Sequence, residues 1–411
     1  MLLDNIDFNT SNDYLHMERY VNIGSPSGFS DKYITSLPTY AKGSNESFYL
    51  CGITFPSNIK IEEFGLKPIF AGDWQMLIHP DMMYNPKNND LFSVSTDINL
   101  NVLLVTPTAS SRTVKILDNE GWFLKLNYKG LIGRIDRTIG RSQALSAVEV
   151  SNIISNAIDS GKLPKKFFFM REPFSRVIFL KYKRKPYEYG IVFREPFAYP
   201  NTSEIKYLFP AFSFFSVDDK NPKDPSILTQ LINKQNKEVD DFLFDDIISP
   251  VYENYFNLLL SCGLQLECHA QNTLYAIGDN YKVIGVVAKD AESIDKDLEL
   301  MSELNIEQNI KSTDYKCLRR EDYNYHIMHS FMFDFKLGEY LISPLIEDAS
   351  KNFQFDKAKL VNRIKKYNNT FIAKLPSDFF PSDGKWYSYE NIVHDKSKKR
   401  PYIPKENPNY R

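Results

Sequence analysis

The stretch "LLLSCGLQLECHAQNTLYAIGDNYKVIGVVAKD", Leu258 to Asp290, alternates polar and apolar residues and then turns back on itself. Read as a strand over Leu264–Gln271, period two puts Leu264, Leu266 and Cys268 on one face and Glu267, His269 and Gln271 on the other. The "GDN" of Gly278 to Asn280 reads as a turn that folds "YKVIGVVAKD" back antiparallel. Lys289 and Asp290 then lie opposite the Glu267–His269 end. The expected product is a polar ledge with a carboxylate at each edge, an imidazole between, and Asn272 beside it. Carboxylate oxygens suit a hard cation such as Mg²⁺, and an imidazole with neighbouring amides suits phosphate oxygens or a nucleobase edge. The same spacing also fits the polar face of an edge strand in water.

A second polar set lies in "TASSRTVKILDNEGWFLKLNYKGLIGRIDRTIGR". Ser110 and Arg112 are expected on one face of a strand, with Lys125 on the partner across a hairpin at Asp118–Gly121, and Arg134, Arg137 and Arg141 following. Guanidinium and ammonium groups around small hydroxyl side chains supply the fixed positive charge that a triphosphate needs while its own charge shifts. A basic exposed sheet edge would look the same.

Composition narrows the class. The chain has 411 residues, 43% hydrophobic and 25% charged, the balance of a soluble globular protein with two or three domains. A net charge of −2 offers no global field for nucleic acid or anionic lipid, and the basic runs Lys181–Lys185 and Lys396–Arg400 read as solvated loops. Thirty Phe and twenty-five Tyr imply an aromatic-rich interior or cleft. Cys51, Cys262, Cys268 and Cys317 lack zinc spacing and fit a reduced compartment. The N-terminal stretch has no signal-peptide pattern and no apolar run is long enough for a membrane span, so the expectation is a cytoplasmic protein.

Along the chain, the first hundred residues look irregular. Strands are expected in "NVLLVTPT", "SRTVKIL", "GWFLKLNYKG", "KKFFFMREPF", "RVIFLKYK" and "EYGIVFREPF", with a helix over Ser146–Gly161. The letters REPF occur twice, at Arg171–Phe174 and Arg194–Phe197. A linker at Asp218–Ser226 leads to a mainly helical last part, with Gly263 as a helix C-cap and an extended tail.

Taken together, "TASSRTVKIL", "FLKLNYKGLIGRIDR", "GLQLECHAQN" and "VVAKD" resemble the NRPS-independent siderophore synthetases of the aerobactin-synthetase (IucA/IucC) type, whose marks are Ser-x-Arg-Thr, a "KL" strand with a later arginine, Glu-x-His-x-Gln-Asn, and Arg-Asp after a hairpin. The resemblance covers roughly Asp97 to Ile294, about half of the chain. It implies an α+β, cupped-hand architecture: residues 1–100 a reduced thumb, 101–235 antiparallel fingers, and 236–411 a helical palm. It implies an ATP- and Mg²⁺-dependent ligase that adenylates a citrate-like or other carboxylate and passes the acyl group to an amine or alcohol, with a homodimer left open. By motif position, Ser110, Arg112 and Thr113 would bind ATP phosphates, and Lys125 and Arg137 would neutralise the α-phosphate region. His269, Gln271 and Asn272 would complete the nucleotide site, with Glu267 and Asp290 as metal contacts. His269, Lys125 and Arg137 would be the catalytic groups.

The departures lie mostly in the first part. The family's histidine-proline motif survives only as Gly28, Phe29 and Ser30, its His-Pro-Trp-Gln as Trp74 and Gln75 with His79 and Pro80 nearby, and the arginine of its Arg-Asp is Lys289. Citrate is therefore open as substrate. A small-molecule kinase of the protein-kinase-like type is the rival enzyme, because "CHAQN…AKD" follows a similar outline; a noncatalytic nucleotide-binding partner in a biosynthetic complex is the rival from another class. His326 and His329 are expected to pack against Phe331 and Phe333 rather than bind metal. Asp334 and Glu339 could meet an amine, and Trp386, Tyr387 and Tyr389 read as late packing.

Overall fold

The computed structural model describes residues 1–6, 12–22, 47–71, 74–83, 92–110, 112–117, 121–132, 135–182, 185–322, 324–389 and 402–411. Gly28, Phe29, Ser30, Arg134, the hairpin residues Asp118–Glu120 and the run Lys396–Arg400 lie outside them.

The first described helix, α1, is Asn12–Tyr20. Strands β1 (Phe48–Thr54), β2 (Lys60–Gly65) and β3 (Met76–Ile78) follow, then β4 (Asp97–Pro107), β5 (Thr113–Ile116), β6 (Phe123–Leu126), and the small pair β7 (Tyr128–Ile132) and β8 (Ile135–Arg137). After helix α2 (Arg141–Asp159) come β9 (Phe167–Phe169), β10 (Phe174–Tyr182) and β11 (Lys185–Arg194). Among the described residues these build an eight-stranded antiparallel sheet in the order β2-β10-β11-β6-β5-β4-β1-β3. The expectation of an irregular first hundred residues is corrected here. β1, "FYLCGIT", is buried at five of its seven positions, so it lacks the alternation that marks a half-buried strand. β2, "KIEEFG", is a polar edge strand. The sequence boundary at residue 100 falls inside β4.

A second sheet, β12-β14-β15-β9, joins β12 (Tyr207–Pro210) to the hairpin β14 (Thr273–Ile277) and β15 (Val283–Ala288), with β9 added in parallel. It mixes residues from either side of position 235. Short β13 (Leu264–Gln265), β16 (Asp295–Asp297) and β17 (Cys317–Leu318) form a third.

The helical part forms as its apolar spacing implies. Val239–Phe242 runs through a π-helical segment, Leu243–Ile248, into α3, Ser249–Cys262. Pro250 sits in the first turn of α3, where its missing N–H costs least, and the π segment accommodates the disturbed ladder. Tyr325–Ser330, π-helical Phe331–Ile342 and Ser343–Asn352 repeat that plan around Pro344, and Lys357–Ile372 packs beside them. The aromatic surplus fills this core: Phe214 stacks on Tyr275 at 4.5 Å and Phe256 on Phe371 at 5.1 Å.

One further expectation is revised, and that of an extended tail is met in a strand. The supposed linker is anchored, because Asp218 is buried and paired with His16 at 2.9 Å. The tail folds back as β19 (Tyr402–Lys405) on β18 (Trp386–Tyr389), and Tyr410 is buried. All four cysteines are free. Among the described residues no helix is long and apolar enough to cross a membrane.

Gly263 ends α3 at φ 64°, ψ 24°, and its N–H donates to the Leu259 carbonyl at 2.8 Å. A Cβ there would meet Met301 Cγ at 2.2 Å. Gly263→Ala is expected to lower the unfolding free energy by about 2 kcal/mol, read by urea denaturation.

Candidate active site

β5 and β6 pair with Thr113 opposite Lys125, so the first polar set is delivered at one end of the large sheet. The turn before β5 replaces the expected strand over Ser110–Arg112. The Thr113 N–H donates to Ser110 Oγ at 3.2 Å, the Arg112 N–H to the Ser110 carbonyl at 2.7 Å, and Arg112 Nη1 to the Arg137 carbonyl at 2.8 Å. Small hydroxyl side chains favour such local turns over strand pairing.

The opening stretch is likewise less strand than its spacing suggests. β13 ends at Gln265, and Glu267–Asn272 is a turn: the His269 N–H donates to the Glu267 carbonyl at 2.9 Å and the Asn272 N–H to the His269 carbonyl at 3.0 Å. His269 is therefore buried with Leu266 and Cys268 rather than set on an opposite face. Its Nδ1 accepts from the Gln271 N–H at 3.2 Å. Burial pushes the imidazole down to about 4, so at neutral pH it is uncharged beside Glu267, whose Oε2 is 3.9 Å from Nε2. The β14–β15 hairpin forms as expected. The Lys289 N–H donates to the Asn272 carbonyl at 3.0 Å, and Asn272 Nδ2 donates to Ser293 Oγ at 3.2 Å.

The two hairpins converge. The Lys125 ammonium donates to Asp290 Oδ1 and lies 2.5 Å from Glu292 Oε2. Arg112 Nη2 is 3.7 Å from the same Glu292 oxygen, and Tyr315 donates its hydroxyl to Glu292 Oε1 at 2.9 Å. Arg112 and Lys125 are buried. Burial and the nearby Arg112 push Arg137 down to about 10, against the pull of Glu292, Asp290 and Glu267, so it stays a cation at neutral pH. Burial raises the Asp290 carboxyl, but Lys125 and Arg194 outweigh that and hold it well below the ordinary carboxylate range. Glu292 is lowered by Lys125 and Arg112 in the same way. Asp290 has φ 75°, ψ 65°, a left-handed conformation that costs a non-glycine residue of order 1–3 kcal/mol and persists where its surroundings over-determine it.

The REPF repeat supplies a residue that sequence reasoning missed. Arg194 Nη2 donates to Glu172 Oε1 at 2.6 Å and to Asp290 Oδ1 at 3.0 Å, while Arg171 donates through Nε and Nη2 to Glu195 at 2.7 Å each. The arginine of each copy is paired with the glutamate of the other, across β10 and β11. Glu172 is wholly buried, so Arg194 is both charge-compensated and fixed in place. The other missed groups flank Glu267 and Asp295. Lys336 Nζ is 3.0 Å from Glu267 Oε1, and Lys316 Nζ is 3.3 Å from Asp295 Oδ1.

The remaining candidates serve the scaffold. Trp74 stacks on Phe193 at 6.2 Å, and the Trp74 and Gln75 carbonyls accept from Arg176 at 2.8 and 3.1 Å. His79 packs between Phe48 and Tyr128, its ring centroid 5.2 and 5.4 Å from theirs, and burial drops its pKa to about 3. His329 packs as expected but on Phe379, at 3.8 Å, and 3.2 Å from Asp297, rather than on Phe331 or Phe333. Asp334 is paired with Arg411 at 2.9 Å, and Asn409 donates to Glu339 at 3.1 Å. Among the described residues no three His, Cys, Asp or Glu side chains are grouped to hold a metal.

His269 makes a pH prediction. Its folded pKa, about 4, is below the ordinary 6.5, so the unfolded chain takes the proton first. Stability is complete above pH 6.5 and falls as the pH drops toward 4. Between pH 8 and pH 5 the unfolding free energy of His269→Gln is expected to fall by about 2 kcal/mol less than that of the parent, measured by urea titrations at both pH values.

No protein-family model matches the sequence, and no curated protein matches it. Solved structures do match. Aerobactin synthetase IucA from a hypervirulent pathotype of Klebsiella pneumoniae superposes with a TM-score of 0.69 at 13% identity, over 90% of this chain and 71% of that one; its ATP-bound form gives the same values. Petrobactin biosynthesis protein AsbB from Bacillus anthracis str. Sterne gives 0.71 at 14%, over 96% and 74%. Aerobactin synthetase IucC gives 0.63 at 13%, over 82% and 65%. The chain has the α+β fold of the siderophore synthetases that its motifs resemble.

Proposed function

We propose that this chain is a siderophore-synthetase-type ligase that uses ATP to adenylate a carboxylic acid and condenses the acyl group with an amine or alcohol. The observation that carries the reading is the meeting of Arg112, Lys125, Arg137 and Arg194, from the large sheet and its flanking strands, with Asp290, Glu292 and the Glu267–His269 turn from the second half. A cation-rich, largely buried site rimmed by carboxylates suits a nucleotide triphosphate, and an ATP-bound structure exists for IucA, which shares the fold.

In the proposed reaction a substrate carboxylate oxygen attacks the α-phosphorus, the bond to the β-phosphate oxygen breaks, and pyrophosphate leaves. The amine or alcohol then attacks the acyl carbon and AMP leaves, its proton passing to solvent or a nearby base. Charge builds on phosphoryl oxygens in the first step, so catalysis is positioning and electrostatic stabilisation. Arg137 and Lys125 are the cations assigned to that charge. Ser110, Arg112 and Thr113 form the phosphate-binding turn, and Gln271 and Asn272 hold the nucleotide beside neutral His269. Magnesium, when bound, would offset phosphate charge and orient the triphosphate. Asp290 and Glu267 are the carboxylates assigned to it. One or two carboxylates completed by phosphates and water are what Mg²⁺ ordinarily takes, and Asp290 already presents its oxygen to a cation, the Lys125 ammonium.

The test is pyrophosphate and AMP release with MgATP, screened over citrate, 2-oxoglutarate, succinate and amino-acid carboxylates. One acid is expected to stimulate release, and Arg137→Ala to lower kcat/KM for that acid by about 100-fold or more. ADP formation with no stimulating acid would replace the reading with the kinase one. MgATP binding without any turnover would replace it with a noncatalytic nucleotide-binding role.

A further inference from the structure

Helix α1 carries a carboxylate to the join between the two polar sets. Glu18 is 1% exposed. Its Oε1 accepts from Lys289 Nζ at 2.8 Å and from the Tyr14 hydroxyl at 2.7 Å, and its Oε2 accepts from the Ala109 N–H at 3.1 Å. Ala109 immediately precedes Ser110, and Lys289 immediately precedes Asp290. One side chain therefore reaches the residue before each of two site motifs that lie far apart in the chain.

The helix that holds Glu18 is itself fastened to both halves. Arg19 Nη1 donates to Thr106 Oγ1 at 2.6 Å on β4, and the Asp219 N–H donates to the Tyr20 carbonyl at 2.8 Å; Asn22 Nδ2 closes the helix's own end on the Glu18 carbonyl at 2.6 Å. Burial raises the Glu18 carboxyl, but Lys289, Tyr14 and the Ala109 amide outweigh it and keep the group ionised. A buried carboxylate with three donors is held in one place, since moving it would strand each of them.

The tension falls on Asp290. Its own carboxylate is drawn to Lys125 and Arg194, while the side chain of the residue before it is drawn to Glu18. Side-chain anchors on two neighbouring residues are surroundings of the kind that hold an aspartate in the left-handed region.

We propose that Glu18 is a positioning residue of the nucleotide site: through Lys289 and the Ala109 amide it fixes the spacing between the Ser110–Thr113 turn and Asp290. As a statement about geometry it stands on the contacts above; that the spacing serves MgATP rests on the adenylating function proposed for the chain.

Two readouts on the full-length chain test it. Glu18→Gln keeps an acceptor for Ala109 but leaves the Lys289 ammonium buried and unpaired, whereas Glu18→Gln with Lys289→Met removes both charges. Thermal stability is expected to fall in each single variant and to recover in the double variant. MgATP affinity, by calorimetric titration, is expected to fall about tenfold in the single variants and to stay low in the double variant. Recovery of affinity together with stability would show a charge-compensating pair only and would overturn the positioning role. Hydrogen exchange supplies the second readout, independent of nucleotide. In Glu18→Leu with Lys289→Met, which removes the acceptor as well as both charges, exchange of the Ala109 amide and of the Ser293 amide, which donates to the Asp290 carbonyl at 2.9 Å, is expected to speed up. Acceleration at Ala109 alone would also overturn it. If the parent chain binds no MgATP, the proposed function fails, and the exchange experiment alone decides the positioning role.

Discussion

Two carboxylates and one ammonium, largely withdrawn from solvent where the large sheet meets the second half of the chain, form the contact on which the site depends. Lys125 belongs to β6, while Asp290 and Glu292 follow β15. Bringing such groups out of water costs several kcal/mol per ion and is recovered only with good geometry and further partners. The surrounding structure provides both. The Thr113–Lys125 pairing fixes the ammonium, Arg194 and Arg112 share the acids, and Tyr315 completes Glu292. The arrangement leaves Lys125, Arg112 and Arg194 already in place and neutralised by carboxylates from the second half of the chain.

The motif order and the existence of both hairpins could be read from the sequence, because each depends on local chemistry: turn residues at Gly278–Asn280, apolar runs in β14 and β15, a glycine at the end of α3. The fold class was legible through the resemblance that those motifs carry. Local backbone detail was not. Period-two spacing carried the strand of Leu264–Gln265 on to Gln271 and placed Ser110 and Arg112 in a strand, where the chain makes turns, since spacing alone does not record that His269 and Leu266 are both buried or that Ser110 closes a turn with its own hydroxyl. β1 escaped notice because burial on both faces erases alternation.

Long-range partners were the least legible. Nothing in the letters near Glu18 points to Lys289 or Ala109, and Glu292 stands out only once Asp290 is seen to share its cation. The REPF repeat was visible as letters, but its meaning depends on strand register, with Phe174 opposite Phe193. A match of motif positions passes over Lys336 and Lys316, which lie outside the matched motifs and stand beside Glu267 and Asp295.

The crossed pairing of that repeat limits how the chain can change over generations. Arg171 answers to Glu195 and Arg194 to Glu172, so neither tetrapeptide is self-sufficient and each is a condition for keeping the other. In the outer pair Arg171 is partly exposed while Glu195 is buried. The inner pair cannot exchange its charges, because a carboxylate at position 194 would face Asp290. Two identical words in the sequence thus carry unequal constraint, since Arg194 serves both Glu172 and Asp290 whereas Arg171 serves Glu195.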